Sequence, residues 1–290
     1  MEQLIIRNEQ LQATIALRGA EVRSVKNINN HHEYMWSGDV AVWAGVSPVL
    51  FPVVGKTSDN QVLWHGKGYP QGNHGFARNA LFSVESQSES AVTLAIITNH
   101  SDGCNYPFNL RFLVSYELIE TQLLTRYQVE NLGGETAYFS VGAHPAFACP
   151  FDGEHQFSDY VIEFEHEEHL TRHEITSAAF FTGKTTAVSL KTIELSTDTF
   201  AKDAIVYTGY SSEQIILREK NSSRAVKVSL NGFPWLGLWS KPGAPYVCIE
   251  PWCGHSDMLG FNGEVNGKAA IETVAANSSW SRQFSIEFAY

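Results

Sequence analysis

The sequence predicts an all-β protein, a large antiparallel sandwich of many strands in one domain covering residues 1–290. Three observations carry this. Apolar and polar residues alternate in segment after segment, the period of a strand with one buried face. Turn-forming pairs punctuate those segments. No window of about eleven residues or more carries the spacing of an amphipathic helix.

Taken in order, Leu11, Ala13, Ile15 and Leu17 alternate with polar residues near the N-terminus. Leu110, Phe112, Val114, Tyr116 and Leu118 do so mid-chain, and Phe284, Ile286, Phe288 and Tyr290 at the end. Further strands are expected over 81–86, 91–98, 123–130, 136–141, 160–165, 204–207, 214–218, 225–230, 235–240 and 269–274. Between them lie Asn131-Leu-Gly-Gly134, Asp152-Gly153, Asn231-Gly232, Lys241-Pro-Gly243 and Asn262-Gly263, all turn formers. Residues 40–80 break the alternation and are rich in Gly, Pro, Trp and His. They read as long ordered loops, which in a compact domain tend to carry function. No linker, repeat or low-complexity tract divides the chain.

At 290 residues, with 43% hydrophobic and 12% aromatic content, the chain can build a sizeable core. A net charge of -11 argues against nucleic acid or an anionic membrane surface as its main partner. The start, Met-Glu-Gln-Leu-Ile-Ile-Arg, lacks the basic region and long apolar run of a signal peptide. No apolar run reaches the ~18 residues of a membrane span. The four cysteines contain no C-x-x-C pair and read as reduced thiols, so the expected location is cytoplasmic.

Chemistry concentrates in a few stretches. In Pro245-Tyr-Val-Cys-Ile-Glu250-Pro-Trp-Cys-Gly-His255, a short apolar strand ends in a glutamate. Pro251 restricts that residue to extended backbone. Burial beside Tyr246 and Trp252 would raise the carboxyl pKa and suit it to proton transfer. A strand-end glutamate facing solvent is the alternative. Phe139-Ser-Val-Gly142-Ala-His144-Pro-Ala-Phe147 repeats the design, with an imidazole in place of the carboxylate. One carboxylate and one imidazole, each held at a strand end, form a candidate acid/base pair. Gly72-Asn-His74-Gly-Phe-Ala-Arg78-Asn places an imidazole and a guanidinium four residues apart. These donors suit sugar hydroxyls or an anion, or are incidental to a surface loop.

Together, Phe51-Pro52…Gly55-Lys56, His74-Gly-Phe-Ala-Arg78, Gly142-Ala-His144-Pro-Ala-Phe147, Asp203-Ala-Ile-Val and Ile249-Glu250-Pro-Trp252 resemble the aldose 1-epimerase (galactose mutarotase-like) superfamily, in its LacX-like branch. The resemblance runs in order over nearly the whole chain. It implies a β-supersandwich with an open cleft on its concave face. It also implies an isomerase that interconverts sugar anomers, with Glu250 as general base and His144 as general acid. His74 and Asp203 fall at positions that contact the sugar, and Arg78, Lys56 and Trp252 are further candidate substrate-binding residues. The implied reaction needs no cofactor and no metal. The partner is a small sugar, and the protein is expected to be a monomer or homodimer. Galactose mutarotases proper carry a substrate-binding arginine after their Gly-Arg motif, whereas here Thr-Ser-Asp-Asn follows Gly55-Lys56. The hexose-6-phosphate branch has an arginine where this chain has Ala44. A neutral hexose is therefore the expected substrate. A hexose-6-phosphate epimerase and a non-catalytic sugar-binding protein are the alternatives. A two-carboxylate glycosidase is a further one, for which Glu250 lacks an equally constrained second carboxylate.

Three other features receive structural readings. His166-Glu-Glu-His169-Leu-Thr-Arg-His173 fails the H-E-x-x-H pattern at Leu170 and reads as a solvated charged segment. Cys253, His255 and Asp257 fit no standard zinc spacing and read as loop packing beside Glu250. Trp235 and Trp239 read as core, with Trp252 open between core and sugar platform.

Overall fold

The computed structural model describes residues 2–99 and 103–289. Tyr290, the last member of the expected C-terminal alternation, lies outside them. The described chain is nearly all strand, and its helical pieces are 3-10 turns of three residues. Among the described residues one sheet has 15 strands, and a three-stranded sheet and two two-stranded ribbons attach to it. No helix is long and apolar enough to cross a membrane.

The large sheet starts at Val49–Leu50 and passes through Val141–Ala143, Tyr246–Cys253, Trp235–Trp239, Ile205–Thr208 and Tyr160–Ile175. It continues through Gln214–Glu219 and Ala225–Ser229 to Ser279–Ala289, Gln122–Asn131, Leu110–Ile119 and Ala91–Ile97, and ends at Ser83–Gln87. Adjacent strands twist by roughly 20–25°, so a sheet this wide must curl. Here it curls far enough to bring its first strand against Leu110–Ile119, third from its other edge. Phe51, directly after the first strand, stacks flat on Phe112 near the other end, with ring centroids 4.1 Å apart and planes at 12°. The core fills the curl. Leu110, Phe112, Val114, Tyr116 and Leu118 all point into it, as the alternation predicts. The buried Tyr116 hydroxyl donates to the carbonyl of Ala20 at 2.7 Å.

Tyr246–Cys253 is buried along its whole length. Glu250 was expected at a strand end, yet the strand runs on through Pro251 and Trp252 to Cys253. The proline is tolerated because the neighbouring strand is broken opposite it. On that side Ala146–Ala148 pairs with residues 246–248, and Val141–Gly142 with residues 252–253. The gap between them holds His144-Pro145. The Ile249 N–H donates across it to the Pro145 carbonyl at 3.3 Å. Pro251, two residues on, faces the same gap, where no ladder bond is lost.

Two further expectations are corrected. The strand foreseen over 160–165 extends to Ile175 and pairs with Phe181–Glu194, which was not foreseen. This hairpin projects from the core, so polar residues occupy both of its faces and the alternation fades. The charged segment 166–173 lies on this strand, with His166, Glu167, His169 and Arg172 exposed, as a solvated segment should be, and Glu168 the charged exception. Its Glu168 is buried, accepting hydrogen bonds from the backbone and hydroxyl groups of Ser211 and Ser212. His166, His169 and His173 each pair with a hydroxyl, of Ser211, Ser189 and Thr208. Within 40–80, Gln61–Trp64 and Lys67–Pro70 form a small hairpin among the loops.

The stacking of Phe51 on Phe112 predicts the cost of breaking that contact. Phe112→Ala should destabilise the protein by about 3–5 kcal/mol in urea unfolding. A loss below ~1 kcal/mol would show that the curl is held elsewhere.

Candidate active site

A cleft of about 290 Å³ opens against Tyr246–Cys253. It is lined by His144, Glu250, His74, Arg78, Asp203, Lys56 and Trp252, every residue named from the sequence as a site candidate. Strand register brings the first two together. The pairing of Gly142 with Trp252 and of Ala146 with Cys248 keeps one register across the gap, so His144 stands opposite Glu250. Their side chains approach to 3.4 Å, Nε2 to Oε2, at 7% and 2% exposure.

Burial governs the charge of this pair. It pushes the Glu250 carboxyl well above the ordinary carboxylate range, helped by Asp203 and opposed by Trp252 and Arg78. It pulls His144 well below the ordinary imidazole value, with the neighbouring His74 and the Arg78 charge acting in the same direction. Burial thus favours a protonated carboxyl beside a neutral imidazole. Passing one proton from Oε2 to Nε2 yields carboxylate and imidazolium without changing the net charge. The Trp252 indole N–H favours the carboxylate but lies outside hydrogen-bonding geometry with it. His144 Nδ1 and Glu250 Oε2 are buried without a hydrogen-bond partner.

His74 has a defined tautomer. Its Nδ1 accepts the Gly55 N–H at 3.0 Å, so its proton is on Nε2. Burial and the Arg78 charge lower its pKa to about 3, so it is a neutral donor at physiological pH. It adopts φ 65°, and Asp203 φ 78°. Left-handed backbone is uncommon outside glycine, and His and Asp are among the residues that tolerate it best. Gly75 supports this turn: a Cβ there would lie 2.3 Å from the Phe51 carbonyl. Arg78 follows in the 3-10 turn Ala77–Asn79, and its charge acts through space on Glu250, His144 and His74. Neither Arg78 nor Lys56 forms a side-chain hydrogen bond or ion pair among the described residues. The Lys56 backbone is clamped instead, its N–H donating to Ser256 Oγ at 3.0 Å and its carbonyl accepting from Asp257.

Trp252 forms the floor, lying flat over two glycines. A Cβ at Gly142 would come within 2.6 Å of its ring, and one at Gly237 within 2.4 Å. Trp239, read as core, lines the cleft instead. It pairs with Cys248 beside Glu250, and alternation puts it on the same face as Gly237. Its ring meets His144 edge-on at 5.7 Å. Trp43 was not singled out in the sequence. Its ring lies 5.1 Å from that of His144, tilted by 31°, and stacks on Tyr246. The only hint was its place in the Gly- and Trp-rich loops of 40–80. The tip of the projecting hairpin, Ser177 to Ala179, forms another wall that no motif announced. Cys253, His255 and Asp257 are packing and loop residues. The Cys253 thiol contacts the Gly232 carbonyl, His255 stacks on Phe181, and Asp257 caps the Ser58 N–H and pairs with Lys268.

Chemically, the cleft offers one mobile proton between two opposed groups, a neutral N–H donor, a carboxylate, two cations and aromatic walls. The family model described as Aldose 1-epimerase matches residues 2–286. A galactose mutarotase related enzyme from Lactobacillus acidophilus superposes with a TM-score of 0.93 at 30% identity, over 99% of this chain and 97% of that one. A galactose mutarotase-like protein from Lactobacillus casei superposes with a TM-score of 0.92 at 28% identity, over 99% of each chain. The chromosomal protein LacX of Lactococcus lactis subsp. lactis is 28% identical over 292 residues, 97% of each chain.

The glycine pair beneath Trp252 yields a prediction. Gly237→Ala should displace the indole, lower stability by about 1–3 kcal/mol and shift tryptophan emission. Unchanged emission and stability would mean that the floor is not held by that contact.

Proposed function

The chain belongs to the aldose 1-epimerase family, in its LacX-like branch, and from this premise we propose that it interconverts the α and β anomers of a free hexose. The observation that carries the reading is the His144–Glu250 pair, opposed at 3.4 Å in the floor of the cleft. Glu250 as carboxylate takes the proton from the anomeric C1 hydroxyl. His144 as imidazolium gives one to the ring oxygen. The C1–O bond to the ring breaks, leaving the open-chain aldehyde. Rotation about C1–C2 and closure on the other face return both protons and give the other anomer. Each positioned group contributes about 10²–10⁴-fold. His74 Nε2–H donates to a sugar oxygen, Asp203 accepts from a hydroxyl, and Trp43 offers a ring face. A cleft of about 290 Å³ suits one sugar ring, at the small end of the ~300–1,000 Å³ typical of ligand sites. Ring opening and closure each need only one proton taken and one given, which these two side chains can perform.

A second reading, a hexose-6-phosphate epimerase, draws support from the two unpartnered cations in the cleft. Arg78 acts on the reacting pair, which leaves Lys56 for a phosphate. Against it stand the net charge of -11, which repels a dianion at long range, and Ala44 in place of an arginine. Comparing kcat/KM for glucose and galactose with their 6-phosphates at low and high salt decides between the two. The neutral sugars should be preferred. A tenfold preference for the phosphates, weakening with salt and with Lys56→Ala, would establish the second reading.

His144→Asn and Glu250→Gln should each lower kcat/KM for anomer interconversion by about 10²-fold or more while the fold is retained. A variant keeping more than about a tenth of the activity would lose its assigned role. Activity should survive EDTA; loss on chelation, restored by a divalent ion, would contradict a purely proton-transfer mechanism.

The pH profile follows from burial. Activity needs one proton shared by the pair. A second proton must go onto the pair when His144 is already held below 6.5, so the acid limb falls below that value. The last proton leaves a carboxyl held well above 4.5, so the alkaline limb lies well above that value. These apparent values belong to the pair. The kcat/KM profile should keep its acid limb below 6.5, and an acid limb at or above 6.5 would contradict this.

A further inference from the structure

The spacing of the catalytic pair fits more than proton transfer. At 3.4 Å, His144 Nε2 and Glu250 Oε2 are too far apart for a good hydrogen bond, and Glu250 Oε2 is buried with no partner. Two donors bound to one tetrahedral metal ion with bonds of about 2.0–2.2 Å stand about 3.4 Å from each other. The pair is therefore already at metal-ligand spacing. A third donor lies beside them. Cys248 is two residues before Glu250 on the same strand, so alternation puts both side chains on one face. Its sulfur, a ring nitrogen of His144 and a Glu250 carboxylate oxygen all lie within 4.8 Å of one another. Ligation at a metal–sulfur bond of about 2.3 Å needs sulfur-to-donor distances of about 3.6 Å, so the thiol has to close by at most about 1.2 Å.

We infer that His144, Glu250 and Cys248 form an inhibitory binding site for a thiophilic divalent metal ion, with zinc the best match to a nitrogen, sulfur and oxygen donor set. The ion would occupy the place where the sugar's C1 hydroxyl and ring oxygen react, with its fourth position open to the cleft. Charge balance favours it. Ligation releases two protons to solvent, one from the Glu250 carboxyl and one from the Cys248 thiol; the carboxylate and thiolate left behind balance the ion's two positive charges, so the buried site gains no net charge beside Arg78. Calcium and magnesium, which prefer six or more oxygen ligands, do not fit this donor set. The other described cluster of ligand-type residues, Asp152, His155 and Glu219, differs in this respect: Arg224 already sits among its carboxylates as their counter-ion. Binding stands on geometry alone, whereas its inhibitory consequence rests on the proposed function.

The test uses the full chain without an affinity tag. Zn²⁺ is titrated by calorimetry, Co²⁺ by absorption, and anomer interconversion is followed with each ion and after chelation. The expected result is one ion per chain, loss of activity with Zn²⁺, and full recovery with EDTA. Bound Co²⁺ should give the visible bands of a tetrahedral site and a sulfur-to-metal charge-transfer band. Cys248→Ser should leave metal-free activity within about twofold, remove the charge-transfer band, and weaken Zn²⁺ inhibition at least about tenfold, or ~1.4 kcal/mol. Equal inhibition of that variant, or Co²⁺ bound to the wild type without the charge-transfer band, overturns the site. The wild-type cobalt spectrum decides the matter even if the variant fails to fold. It also does so if the protein shows no epimerase activity, so a failure of the site and a failure of the proposed function remain distinguishable.

Discussion

The interruption opposite Tyr246–Cys253 is the constraint on which the site depends. A buried strand needs a hydrogen-bonded neighbour along its length, and here the neighbour is missing for the length of His144-Pro145. Pro251 fits because the gap asks no donor of it, and Ile249 alone reaches across. The gap is what lets an imidazole stand opposite a carboxyl with both side chains turned into the cleft. Shifting the register by one residue would send Glu250 to the opposite face and destroy the pair.

Burial then sets the chemistry. Neither group of the pair has a hydrogen-bonded orienting partner, because His144 Nδ1 and Glu250 Oε2 are both unsatisfied. Aromatic rings hold the imidazole instead, with Trp43 over it and Trp239 and His74 at its edges. Low polarity around the pair keeps it neutral, and the unpaired guanidinium of Arg78 pulls toward the ionised carboxylate. The site is thus poised between two arrangements of a single proton.

Much of this was legible in the sequence. Period-two alternation located the inward faces, as at Leu110 to Leu118, because those strands have one buried face and one exposed one. The X-Pro pairs at Glu250 and His144 marked constrained titratable residues. Where alternation failed, so did the reading. The hairpin of Tyr160–Ile175 and Phe181–Glu194 leaves the core and is polar on both sides, so nothing distinguished it from solvated coil. Glu250 was placed at a strand end because proline is normally excluded from sheet interiors; the partner gap that admits it is a tertiary fact. Trp43 and Trp239 joined the cleft through contacts between residues far apart in sequence. Trp239 could have been found by counting alternation from Gly237.

The curl of the large sheet bears on how copies of the chain can meet. A curled sheet still has edge strands, and edges recruit other edges. One edge is Val49–Leu50, only two residues long. Another is Ser83–Gln87, exposed throughout, carrying Glu85 and interrupted by a bulge between Val84 and Ser86. The long edge is Phe181–Glu194, paired along one side to Tyr160–Ile175, and its exposed Lys184 and Lys191 are the kind of charge that discourages a second strand from adding there.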